Sequence, residues 1–167
     1  MSFAPRRIVL TNSTKDASPV VADSVIELAP SQGGLSLGLA YVQDGYVGNP
    51  DTAIEGTTRA PDSGSIHSMG PSSAYMEFPP GAQFPVHYTG SLDYIVVLDG
   101  ELELGLADGT SKTLKSGDLL ICVAGLHGWS NKTDKPARVL AISSPGETTK
   151  IDGKELNEAP FNHYKLF

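Results

Sequence analysis

The sequence predicts an all-β chain folded as a single barrel or sandwich, and three observations carry that prediction. Its 18 glycines and 12 prolines are spread along 167 residues, which interrupts any long helix. Helix-period spacing of apolar residues is almost absent. Short β-branched or aliphatic runs recur instead, with turn residues between them.

Taken in order, the runs are "RIVLT" from Arg7, "SVIEL" from Ser24, "LSLGLAYV" from Leu35, "SAYMEF" from Ser73, "LDYIVVL" from Leu92, "ELELGL" from Glu101, "SKTL" from Ser111, "DLLICV" from Asp118 and "ARVLAISS" from Ala137. In "ELELGLA", Leu102, Leu104 and Leu106 fall on one face and Glu101 and Glu103 on the other, so one side of that strand is core and the other is wet. Asp108-Gly109 and Ser116-Gly117 each sit between two runs as tight turns. Gly45 to Gly70 is a long polar connection with at most a short strand near Ile66, a length that points to a lid or a mobile excursion. The organisation expected is one domain: N-terminal strands and the polar loop over 1–71, a barrel core over 72–144 and a C-terminal extension over 145–167. Ile151, Leu156, Phe161 and Tyr164 of the extension are placed to pack on the barrel.

Composition removes several function classes. A formal net charge of -7 and a pI of about 4.9 repel nucleic acid and anionic lipid, and the lysines form no basic stripe. No apolar run reaches bilayer length, and "MSFAPRRIVL" lacks the pattern of a secretory signal. With one cysteine, Cys122, no internal disulfide forms, and a cytoplasmic location is expected. Cys122 lies within "GDLLICV" and reads as a buried structural thiol.

The segment "FPVHYTGSLDYIVVLDG" carries the strongest hint of chemistry. If Phe84 to Gly100 ran as one strand without a bulge, His87, Thr89, Asp93, Ile95 and Val97 would share a face. A buried face that begins with an imidazole, a hydroxyl and a carboxylate must pair those groups with each other, a metal or a guest. A second polar cluster follows in "GDLLICVAGLHGWSN", where His127, Trp129 and Asn131 alternate after a bend at Ala124-Gly125. The two histidines are expected to converge at one mouth of a barrel. Trp129 is left open between pocket wall and core, and Thr89 between pocket and strand filler. Tyr88 and Tyr94 have the opposite parity and are expected to pack outside the site. His67, in the polar connection, reads as a solvated loop residue, with a lid-borne acid or base as the alternative, and His163 in the tail is a weaker candidate still.

These motifs resemble those of a single-domain cupin. The first cupin motif is matched by Gly81, five residues, His87, Thr89 where the second histidine stands, Asp93 where the glutamate stands, and Gly100 after six more. The second is matched by Gly117, Gly125, His127 and Asn131, with Val123 in the usual proline position and one residue missing before His127. The likeness covers about residues 72 to 144 and includes "PPGA" at Pro79 to Ala82. It implies a jelly-roll β-barrel with N-terminal strands and a C-terminal extension. It also implies a site whose metal ligands, if one divalent ion (Fe, Mn, Ni or Zn) is held, are His87, Asp93 and His127. A metal-free site is the other outcome.

The function expected is a lyase or isomerase that decarboxylates, dehydrates or tautomerises a small carboxylate or carbonyl compound. His87, His127 and Asp93 are the candidate catalytic residues, and Thr89 and Trp129 the candidate substrate contacts. The alternatives are a non-haem Fe(II) dioxygenase with a two-histidine, one-carboxylate centre, and a non-catalytic small-molecule binder. Resemblance to small cupins of secondary metabolism points to a polyketide-like or aromatic substrate. A homodimer through "RRIVLT" and "SVIELAP" is expected, with no nucleic-acid or membrane partner.

Overall fold

The computed structural model describes residues 3–12, 19–59, 70–147, 150–151, 153–155 and 165–166. The strands are β1 (Arg6–Asn12), β2 (Pro19–Val25), β3 (Ala29–Pro30), β4 (Ser36–Val42), β5 (Ser72–Phe78), β6 (Gln83–Tyr88), β7 (Ser91–Asp99) and β8 (Glu101–Leu106). They continue as β9 (Ser111–Lys115), β10 (Leu119–Val123), β11 (Leu126–Ser130), β12 (Ala137–Pro145), β13 (Lys150–Ile151), β14 (Lys154–Glu155) and β15 (Lys165–Leu166). One sheet has the order β10-β7-β12-β5-β4-β3 and the other β15-β6-β11-β8-β9, with β1-β2 and β13-β14 as separate two-stranded ribbons. The all-β expectation is borne out.

Most predicted runs became strands within a residue or two, because their alternation matches the one-sided burial of a sheet. In β7, Ser91, Asp93, Ile95 and Val97 are buried while Tyr94 faces out. In β8, Leu102 and Leu104 are buried as their parity requires. "SVIEL" is the exception: β2 comes earlier, and its ladder with β1 ends at the Arg6–Val25 pair. Beyond it, Ile26 donates its N–H to Pro5 O and turns its side chain into the interior, 4% exposed.

Of the two tight turns, one follows its sequence signal and one departs from it. Asp108-Gly109 closes the β8–β9 hairpin, with Asp108 Oδ1 accepting from Thr110 N at 2.9 Å. The Ser116-Gly117 turn joins β9 in the five-stranded sheet to β10 in the six-stranded one, so it is a corner between layers. In the polar connection a 3-10 turn forms at Ala53–Thr57, where Tyr41 Oη donates to Ala53 O and Arg59 to Val42 O. Ile66, His67, Leu156, Phe161, His163 and Tyr164 lie outside the described residues.

The interior is graded along the strands. One end is filled by Leu35, Phe78, Ile95, Val97, Leu102, Leu104, Trp129 and Val139. Each large side chain fully buried there contributes roughly 1.5–3 kcal/mol of transfer free energy. The other end is polar: Asp93 on β7 is in register with Cys122 on β10 and with Ser143 on β12.

Candidate functional site

Residues 84–100 do not form one strand. β6 ends at Tyr88 and β7 begins at Ser91, and the chain changes sheets between them. The expected shared face is therefore corrected: His87 projects from one sheet and Asp93, Ile95 and Val97 from the other. All four are buried, because the two faces are opposite walls of one interior.

His87 and His127 are direct cross-strand partners on β6 and β11. Their ring centroids lie 4.5 Å apart with planes at 55°. The strands come this close because residue 128 has no side chain: a Cβ on Gly128 would sit 2.9 Å from both Phe84 O and Val86 N. A register shift between His127 and Trp129 follows, since Trp129 pairs with Phe84. The convergence expected of the two histidines is present.

Each imidazole is turned to the main chain in the same way. His87 Nδ1 lies 2.9 Å from Pro85 O, and His127 Nδ1 lies 3.3 Å from Gly125 O. A carbonyl only accepts, so each contact favours the neutral tautomer with hydrogen on Nδ1 and the lone pair on Nε2. The edge of Phe84 packs 4.8 Å from His87, and Trp129 stands edge-on to His127 at 5.5 Å. Trp129 belongs to the apolar core while walling the pair, which joins the two alternatives left open for it.

Asp93 sits 2% exposed and faces three hydroxyl donors. Ser143 Oγ donates to Oδ1 at 2.6 Å, while Ser91 Oγ and Thr89 Oγ1 donate to Oδ2 at 2.9 and 3.3 Å. Both oxygens are thus occupied by the protein. Thr89 serves as a holder of Asp93, a role the sequence did not assign it.

The three residues expected to ligate a metal do not fit that task together. Asp93 is what fails the fit: its carboxylate is committed to hydroxyls, whereas a carbonyl at Nδ1 is the ordinary support of an imidazole that ligates through Nε2. No group of three or more His, Cys, Asp or Glu side chains among the described residues is arranged to hold a metal ion. A two-histidine, one-carboxylate centre needs the carboxylate turned toward both rings.

Sequence reasoning missed three members of the site. Cys122 Sγ lies 3.6 Å from His127 Nδ1, so the thiol taken as structural touches the candidate machinery. Burial pushes its pKa up, and the charge of Asp93 adds to the rise, with hydrogen bonds from Gly125 and Thr89 partly offsetting both. Ser91 and Ser143 hold Asp93. The parity of β7 pointed to Ser91, but Ser143 lies 50 residues away and no local signal marks it. Asn131, an expected motif residue, is a staple: its Nδ2 donates to Phe78 O and Lys135 O, and its Oδ1 accepts from Thr133. Tyr88 is buried with Ala124 and Leu126. Tyr94 is 41% exposed.

Both imidazoles are 5% exposed. No buried side-chain nitrogen or oxygen among the described residues lacks a hydrogen-bond partner.

Two facing, mainly antiparallel sheets with a polar cluster at one end of the interior define a jelly-roll barrel. Residues 74–143 match the Cupin domain family. The Phomopsin biosynthesis cluster protein C' of Diaporthe leptostromiformis is 38% identical over 78 residues, 46% of this chain and 41% of that protein. The cupin-domain-containing oxidoreductase fogC of Aspergillus ruber is 31% identical over 84 residues, 48% of this chain and 41% of its own length. The likeness thus spans about two fifths of the length of these relatives. Among solved structures, the Cnp3 cupin domain of Schizosaccharomyces pombe superposes with a TM-score of 0.52 at 14% identity, covering 86% of this chain and 89% of that one. No helix among the described residues is long and apolar enough to cross a membrane.

Proposed function

We propose that this chain is a lyase or isomerase that moves a proton on a small carbonyl or carboxylate compound, with His87 and His127 as the acid–base pair. The observation that carries the reading is the 4.5 Å separation of two imidazoles, each anchored through Nδ1 to a main-chain carbonyl. Two imidazoles this close can divide the two halves of a proton transfer between them. One member then donates while its neighbour accepts. Tautomerisation and dehydration need that combination: a proton leaves carbon at one atom and arrives on oxygen at another. The likeness to biosynthesis-cluster proteins supports a secondary-metabolite substrate, such as a polyketide-like carbonyl compound.

The test is proton exchange in D2O, followed by NMR over a panel of 1,3-dicarbonyl and 2-hydroxy-acid compounds. The chain is expected to catalyse deuterium uptake at one acidic carbon. His87→Ala and His127→Ala are each expected to lower the rate about 10²–10⁴-fold, the usual range for a general acid or base. Unchanged rates in both variants overturn the assignment.

A second reading, an oxidoreductase, is favoured by the printed name of the Aspergillus ruber relative. Oxygen consumption with the same panel after loading with Fe(II) separates the two readings, since the acid–base reading predicts none.

A further inference from the structure

The two histidines are alike in their carbonyl contacts and unlike in what stands behind them. His87 Nδ1 has Pro85 O at 2.9 Å, within the normal hydrogen-bond range. His127 Nδ1 has Gly125 O at 3.3 Å, a long contact, and Cys122 Sγ at 3.6 Å, an ordinary distance for a sulfur partner. The carbonyl alone holds His127 loosely; the sulfur supplies the second contact.

That sulfur is itself held. The Thr89 hydroxyl lies beside it and also donates to Asp93 Oδ2, so a polar chain runs from Asp93 through Thr89 and Cys122 to His127. The same main-chain bend ties these parts together, since Thr89 N donates to Gly125 O and Ala124 N to Ser91 O.

Position 125 shows that room for the thiol is built into the chain. Gly125 is absent from the described residues with positive φ, so its backbone does not call for glycine. A Cβ there would lie 2.8 Å from Cys122 Sγ. The missing side chain makes space for the sulfur. Its neighbour Ala124 holds a φ of 45°, a conformation that costs a non-glycine residue free energy and is kept where surrounding contacts enforce it.

We propose that Cys122 is a positioning residue for His127: its sulfur, backed by Thr89 and Asp93, fixes the imidazole in the Nδ1–H tautomer and leaves the lone pair on Nε2. The proposal rests on the acid–base reading of the pair and assigns a task to residues that reading leaves idle. Asp93 and Thr89 act at one remove, by holding Cys122. The groups that face His127 are His87 from β6, Cys122 from β10 and Trp129 from its own strand, with Asp93 on β7 behind the thiol.

Side-chain 15N–1H correlation spectra of the full chain at neutral pH test this without a substrate. In the parent protein both His87 and His127 are expected as Nδ1–H. Cys122→Ala is expected to convert His127 to a mixture of tautomers while His87 stays as it was, and Cys122→Ser to restore the parent pattern. Thr89→Val should move His127 in the same direction by a smaller amount. An Nε2–H signal for His127 in the parent chain, or a His127 signal unmoved by Cys122→Ala, overturns the proposal. A second arm reads the steric part. Gly125→Ala is expected to lower Tm when Cys122 is present and to lose most of that effect in the Cys122→Ala background; strictly additive losses count against it. Failure of the acid–base reading shows instead as deuterium exchange unaffected by His87→Ala, with the tautomer pattern intact.

Discussion

Ser143 Oγ donates to Asp93 Oδ1 at 2.6 Å across the β12–β7 ladder, the shortest of the three hydroxyl contacts to that carboxylate. Removing one donor leaves a buried carboxylate oxygen unsatisfied. Ser143→Ala is expected to lose about 1.5–3 kcal/mol of stability, as for a hydrogen bond to a charged group, measured by urea denaturation. Ser143→Thr, which keeps the hydroxyl, should retain most of it.

Asn131 satisfies two carbonyls and holds Thr133 with one side chain. Asn131→Ala is expected to cost about 3 kcal/mol, because buried Phe78 O is left without that donor while the turn loses its internal ties. A fall in the urea midpoint at unchanged m-value checks this, and an unchanged midpoint would show that the turn holds without its staple.

Cys122 gives the pH prediction. Its folded pKa is raised above the unfolded value by burial first and the Asp93 charge second. The folded state therefore binds this proton more tightly than the unfolded state does. The contribution is fully present below the ordinary thiol range and is lost as pH rises from there through the folded pKa. Stability of the parent chain is expected to fall more steeply on the alkaline side than that of Cys122→Ser, in parallel thermal melts from pH 7 to 10. In the same range iodoacetamide should label the folded thiol slowly and the urea-unfolded thiol fast.

The homodimer expected from "RRIVLT" and "SVIELAP" has an apolar surface to use. Leu119, Ile121 and Val123 on the outer face of β10 are 53%, 53% and 70% exposed, beside Tyr94 and Ile142. Ile8 and Leu10 on β1 are 57% and 67% exposed. Two such stripes on one chain suit burial against a second copy. Sedimentation velocity is expected to show a dimer that Ile121→Glu converts to monomer; a parent chain that sediments only as monomer refutes it.

The sequence made the ladder strands legible and hid the site's wiring. β7, β8 and β12 announce themselves because one-sided burial imposes an alternation that a reader can see. β6 and β11, which carry the histidines, are missing from the clear runs for a physical reason. Pro85 interrupts one and Gly128 the other, and both irregularities belong to the place where the two strands crowd together. The positions of His87 and His127 were readable from motif spacing, whereas the orientation of Asp93 was not. Its partners Thr89, Ser91 and Ser143 come from different elements, and the direction of a carboxylate follows from packing that spacing does not encode. Cys122 is buried as the sequence indicated, but its contacts were hidden for the same reason: an aliphatic run shows that a residue is inside and not what it touches there.

β15 lies along the outer edge of β6, pairing Lys165 with His87 and Leu166 with Tyr88 in parallel. A bare strand edge invites docking by foreign chains and ordered aggregation. Here a short stretch of the same polypeptide already occupies that part of the edge. The irregular strand that bears the chemistry is thereby shielded from amyloid-like growth along that stretch, in addition to the Pro85 it carries.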